Sequence, residues 1–104
     1  MKTSILIIGS TGKLGSILIN YCKKNFIKID AITCLSNAKK LTSQRKLNKI
    51  KNSFCMSIAH DKREFLKYIK NNNFNIVYFL DCGPESIEIM NILISCNKRC
   101  YFAI

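Results

Sequence analysis

The stretch that most narrows the folding options lies near the start: Ile5-Leu6-Ile7-Ile8, then Gly9-Ser10-Thr11-Gly12-Lys13-Leu14-Gly15, then Ser16-Ile17-Leu18-Ile19. Four consecutive apolar residues are the pattern of a strand buried on both faces. Three glycines at three-residue spacing follow, and a helix opens directly after them. Strand, glycine turn and helix in that order are the context a dinucleotide-binding fingerprint requires. Each glycine has an expected task. Gly9 lets the chain turn sharply off the strand, Gly12 lets the backbone approach a pyrophosphate with no Cβ in the way, and Gly15 lets the helix pack close. The free N–H groups of the helix start, at the positive end of its dipole, would face the phosphates. The spacing is G-x-x-G-x-x-G, not the commoner G-x-G-x-x-G. The competing reading is a glycine turn kept for packing alone.

The rest of the chain alternates strand and helix. Residues 13–25 read as a helix with Leu14, Ile17, Leu18 and Tyr21 as its buried stripe and Lys23 and Lys24 at its negative end. Residues 26–34 read as a second strand, and Ser36 or Asn37 as the cap of a helix over 38–50. A short strand over 53–58 precedes a helix over 62–71, capped by Asp61, with Phe65, Leu66 and Ile69 facing inward. Residues 75–80 are nearly all apolar and suit a central strand. A turn over 81–86 leads into a helix that Pro84 can open, running to about Cys96 with Ile87, Met90 and Ile94 on its apolar side. Residues 99–104 form a fifth strand. This order predicts an α/β fold: one domain over 1–104, with a doubly wound, Rossmann-like parallel sheet of about five strands. The loops at 9–15, 34–37 and 81–86 then share the carboxyl edge, where such sheets bind ligands.

Composition limits the alternatives. A chain of 104 residues makes one small domain. No apolar run approaches the ~20 residues of a membrane span, and the start has no small-residue cleavage site, so the expected location is the cytoplasm. The 6 cysteines form no C-x-x-C pair and read as reduced core thiols. One histidine, His60, with no repeating ligand spacing, argues against a metal site; it reads as a surface residue. Asp81 and Glu85 read as a helix-start pair. The formal net charge of +11 suits anionic ligands. It also fits a Lys/Asn/Ile-rich codon bias, or a nucleic-acid partner. The lysines are dispersed with no aromatic stacking pattern, so nucleic acid ranks low.

The cofactor can be narrowed from the end of the second strand. An acidic residue there would bind a ribose 2′-OH, but Asp30 comes several residues too early. The edge itself carries Ser36, Asn37, Lys39 and Lys40, donors and cations that suit a 2′-phosphate. This favours NADP(H) over NAD(H).

At this point Gly9-Ser10-Thr11-Gly12-Lys13-Leu14-Gly15 resembles the G-S-T-G-S-I-G turn of the 1-deoxy-D-xylulose 5-phosphate reductoisomerase family. Asn37, Leu41 and Gln44 are similar to that family's N-x-x-x-L-x-x-Q. Val77 to Ala103, with Gly83 and Lys98 in step, resembles its fourth strand, glycine turn, helix and fifth strand. The resemblance implies an NADPH-dependent oxidoreductase of isoprenoid biosynthesis that also uses a divalent metal. It implies that Thr11, Gly12, Lys13 and Leu14 hold the pyrophosphate and ribose, with Asn37 by the 2′-phosphate. Lys13 stands where the family has Ser, and Leu35-Ser36 where it has Gly-Lys. The family's A-N-K-E-S segment would begin at Ala103, which places its catalytic and metal-binding residues past Ile104. The expectation is a cofactor-binding portion that is inactive alone, completed by a missing catalytic polypeptide or by self-association. Two other enzyme families are similar in parts. Dihydrodipicolinate reductase has a G-x-x-G-R-M-G turn and a D-F-T-x-P-E stretch like Asp81-Cys82-Gly83-Pro84-Glu85. Short-chain dehydrogenase-like proteins share the turn, but no Tyr-x-x-x-Lys is present. A non-catalytic nucleotide-sensing or interaction module is the reading outside enzymes.

Overall fold

The computed structural model describes residues 4–80, 84–96 and 101–103, with side chains described at 4–80 and 86–96. The elements run β1 (Ile5–Ile8), α1 (Lys13–Lys24), β2 (Ala31–Cys34), α2 (Ala38–Leu47), β3 (Asn52–Cys55), α3 (Ala59–Asn71), β4 (Ile76–Phe79), α4 (Pro84–Ser95) and β5 (Tyr101–Ala103). The sheet order is β3-β2-β1-β4-β5, and every neighbouring pair is parallel. The order reverses at β1, which makes the sheet doubly wound. The uniformly apolar β1 is the central strand and faces both ways. Ile5 and Ile7 join one core with Ile19 and Cys22 of α1 and Leu41 of α2. Leu6 and Ile8 join the other with Phe65 and Ile69 of α3 and Ile89 and Leu93 of α4. Two helices therefore cover each face, as a parallel sheet requires.

Both helices of the first face end in the same device. The N–H of Ile27 donates to the carbonyl of Cys22 at 2.9 Å, and that of Phe26 to Lys23 at 3.4 Å. The N–H of Ile50 donates to Arg45 at 2.9 Å, and that of Lys49 to Lys46 at 3.4 Å. These are paired Schellman closures, with the left-handed position held by Phe26 (φ 55°) and Lys49 (φ 53°) rather than glycine. Ile27 packs against the core beside Cys22, and Ile50 is buried there.

These closures correct two predicted boundaries. The second strand begins at Ala31, not 26, because the chain is still leaving α1 at Phe26. The second helix stops at Leu47, not 50, and Ile50 anchors the loop. The third strand is Asn52–Cys55, and α3 starts at Ala59. Asp61 is therefore not the cap but lies in the first turn, where its carboxylate accepts the Cys55 N–H at 2.9 Å. The buried stripe of α1 is also corrected. Gly15, Ile19 and Cys22 are buried and Leu18 partly so, whereas Leu14, Ile17 and Tyr21 are exposed. A Cβ on Gly15 would lie 2.2 Å from the carbonyl oxygen of Ser10, so the glycine face must sit on the turn, and that contact sets the rotation of the helix. In α4, Ile89 and Leu93 are the buried pair, with Met90 packed against them; Ile87 and Ile94 are exposed. Phe65, Leu66 and Ile69 of α3 face inward as expected. The turn residues Asp81, Cys82 and Gly83, and Asn97 to Cys100, lie outside the described residues, as does Ile104.

Candidate functional site

The turn between β1 and α1 is tied down from β2. The N–H groups of Gly9 and Ser10 both donate to the Thr33 carbonyl, at 3.0 and 2.9 Å. Gly9 makes the bend in the left-handed region, with φ 88°, where a side chain would be strained. Ser10 is fully buried. Its hydroxyl donates to Gln44 Oε1 at 2.9 Å, and Gln44 Nε2 donates back to the Ser10 carbonyl at 2.8 Å. Gln44 is itself buried on α2, so this reciprocal pair clamps the turn to the second helix. A polar residue three positions after Leu41, on the same buried helical stripe, was the sequence signal for such a clamp; the carbonyl of Thr33 left no signal at all.

With Gly9 and Ser10 engaged inward, the outer part of the turn is Thr11, Gly12, Lys13 and Leu14. Gly12 is the N-cap of α1, and no side chain caps the helix. The first N–H groups of a helix have no partner within it. Here they also lack an acidic residue in the first turn; Lys13 stands at that positive end instead. A cation there is unfavourable by about 0.3–1 kcal/mol, a cost that a bound anion would reverse. Gly12 is exposed. A Cβ there would meet nothing nearer than the Gly9 carbonyl at 3.9 Å. Nothing among the described residues requires glycine at this position, whereas Gly9 and Gly15 are dictated by conformation and packing.

The neighbouring end of β2 continues the pattern. Asn37 caps α2, its Oδ1 accepting the Lys40 N–H at 3.1 Å. Ser36 and Asn37 are exposed, as are Lys39 and Lys40, and α2 also has no acidic residue in its first turn. Two helix starts and three lysines thus share one edge of the sheet. Asp30 is at the opposite edge: its N–H donates to the Ile5 carbonyl at 2.9 Å, and its carboxylate takes the Ser4 hydroxyl. His60 is exposed in the first turn of α3.

Burial holds two of the buried cysteines, Cys22 and Cys34, in the thiol form. Cys34 is pushed up to about 12, first by burial and then by its hydrogen bond with Cys55, and burial also raises Cys22. Both stay protonated at neutral pH. Cys22, Cys34, Cys55 and Cys96 are free thiols; Cys82 and Cys100 lie outside the described residues. No group of three or more metal-ligating side chains occurs among the described residues, so they do not fit a divalent metal. No described helix is long and apolar enough to cross a membrane.

The fold and the turn define a class: an α/β domain with a doubly wound, Rossmann-like parallel sheet. No protein-family model matches the chain, and no curated protein matches it in sequence. Solved structures do match in fold. One is 1-deoxy-D-xylulose 5-phosphate reductoisomerase from Zymomonas mobilis in complex with NADPH, with a TM-score of 0.59 and 12% identity over 98% of this chain. Another is AtPrR2 in apo form, with a TM-score of 0.64 and 16% identity over 93% of this chain. The chain spans 38% and 36% of the lengths of those two proteins. At such identities the likeness is one of fold.

Proposed function

We propose that this chain is a dinucleotide-binding domain that holds NADPH at the carboxyl edge of β1 and β2. The observation that carries the reading is the contrast among the three glycines. Gly9 and Gly15 are explained from within the described structure, while the space beside Gly12 is open and free for a ligand to approach the turn from outside. In this reading the N–H groups of Thr11, Gly12, Lys13 and Leu14 hold the pyrophosphate, with Gly9, Ser10 and Gly15 shaping the turn that presents them. Ser36 and Asn37 bind the adenosine 2′-phosphate, with Lys39 and Lys40 supplying charge in place of the missing family cation. Bound there, NADPH would supply a hydride donor. The chain's own task is to bind and orient it.

The solved reductoisomerase with NADPH supports extending the proposal to an oxidoreductase of that kind, and so to isoprenoid biosynthesis. The acting residues and the divalent metal of such an enzyme would then lie outside these 104 residues. A soluble, cytoplasmic protein fits this proposal.

Calorimetric titration of the purified chain with NADPH and with NADH tests it. We expect saturable binding with NADPH at least about tenfold tighter, a difference of about 1.4 kcal/mol. Equal affinities would overturn the 2′-phosphate site. No binding of either by the folded chain would overturn the dinucleotide reading altogether.

A further inference from the structure

The outward side of α1 carries an apolar stripe that nothing in the described structure covers. Leu14, Ile17 and Tyr21 are 64%, 56% and 58% exposed. Their spacing of three and four residues puts them on one line along the helix. The side of the sheet on which they lie follows from their neighbours. Ser16, Ile19 and Asn20 of α1 border a groove of about 260 Å³ whose other wall is Lys40, Ser43 and Gln44 of α2. The stripe is on the opposite flank of α1, away from α2 and therefore toward β4 and β5. There, Ile76, Tyr78 and Leu80 are only partly buried, and Tyr78 and Leu80 reach the core that α1 covers. A parallel sheet is stable with helices over its whole breadth. On this face α1 and α2 leave the β4–β5 side open among the described residues.

The chemistry of the missing cover is set by charge. Lys13 and Lys24 border the stripe on its solvent side, and α1 contains no acidic residue. The ion pairs among the described residues, Lys62 with Glu88 and Lys67 with Glu64, belong to α3 and α4. A second copy of the chain, with a net charge of +11, would bring lysine against lysine if it docked stripe to stripe. We infer that this face is the docking site for an amphipathic helix of a different polypeptide, apolar along one stripe and acidic along its margins. It would lie beside α1 over β4 and β5.

The test uses two synthetic helical peptides with the same leucine stripe, one with glutamate margins and one with lysine margins. Each is titrated into the full chain and followed by fluorescence anisotropy. The glutamate peptide is expected to bind saturably and at least tenfold more tightly than the lysine peptide. Ile17→Ser with Tyr21→Ser should weaken it at least tenfold, and Lys24→Glu should weaken it by a smaller factor. These residues are exposed, so circular dichroism should show an unchanged fold, and NADPH binding should be unaffected. Absence of binding, equal binding of the two peptides, or binding untouched by the double substitution would overturn the inference. So would a concentration-dependent dimer in sedimentation that the double substitution abolishes, since the occupant would then be a second copy.

Discussion

Gly12 and Gly15 are three residues apart and have opposite reasons to be glycine. A Cβ on Gly15 would stand 2.2 Å from the Ser10 carbonyl oxygen. Both atoms belong to the backbone, so neither can swing aside. Gly15→Ala is expected to destabilise the fold by about 3 kcal/mol, the upper range for forced overpacking. Gly12→Ala places a methyl group in open space at φ −74° and should change stability by less than about 0.5 kcal/mol. It should weaken NADPH binding about tenfold, because the lost space is on the ligand side. Urea unfolding of both variants, with cofactor titration of the second, separates the roles. The turn was legible in the sequence because glycine spacing reports backbone demands directly. The clamp behind it was less so: Ser10 and Gln44 are 34 residues apart, and only the folded chain shows that the Ser10 hydroxyl turns inward to Gln44.

At the scale of elements, the alternation of strands and helices was legible because apolar runs and caps are local signals. Asn37 caps α2 where expected, and β1 is as fully buried as its four apolar residues suggest. The rotations of α1 and α4 were not legible. In α1 the apolar residues span both the buried line of Ile19 and Cys22 and the exposed line of Leu14, Ile17 and Tyr21. Periodicity alone cannot choose between two adjoining stripes; Gly15 on the turn does. The end of α2 and the start of β2 were missed for a related reason. The Schellman closures place Phe26 and Lys49 in the left-handed region, where glycine would have marked the stop. A left-handed conformation costs a residue with a Cβ roughly 1–2 kcal/mol. Lys49→Gly is therefore expected to raise stability by about 1 kcal/mol, after the extra freedom of glycine in the unfolded chain is counted. An unchanged or lower denaturation midpoint would show that the Lys49 side chain contributes packing that offsets the strain.

For the whole molecule, the sheet order brings the starts of α1 and α2 to one edge, with Lys13, Lys39 and Lys40, and leaves Asp30 at the other. That separation makes one edge suited to a phosphorylated ligand. The core also sets the response to pH. Burial raises the Cys34 thiol from 9.0 to about 12 and raises Cys22 in the same direction. Above the ordinary thiol value the unfolded chain loses these protons while the folded chain keeps them, so the unfolded state binds fewer protons and stability falls with rising pH. Denaturation midpoints should be insensitive to these thiols below pH 9.0 and should decline from there toward about pH 12. Midpoints that stayed level across that window would mean that the thiols are accessible to water.

The most direct measurement is an amide ¹H–¹⁵N titration of the full chain with NADPH. The account predicts saturable shifts concentrated at the backbone N–H groups of Thr11, Gly12, Lys13 and Leu14. A second set is predicted at Ser36, Asn37, Lys39 and Lys40, which NADH would leave unmoved. Ser10, held by Thr33 and Gln44, should shift little. A folded chain whose Thr11–Leu14 amides did not respond to saturating NADPH would contradict the account, leaving the glycine turn as packing alone.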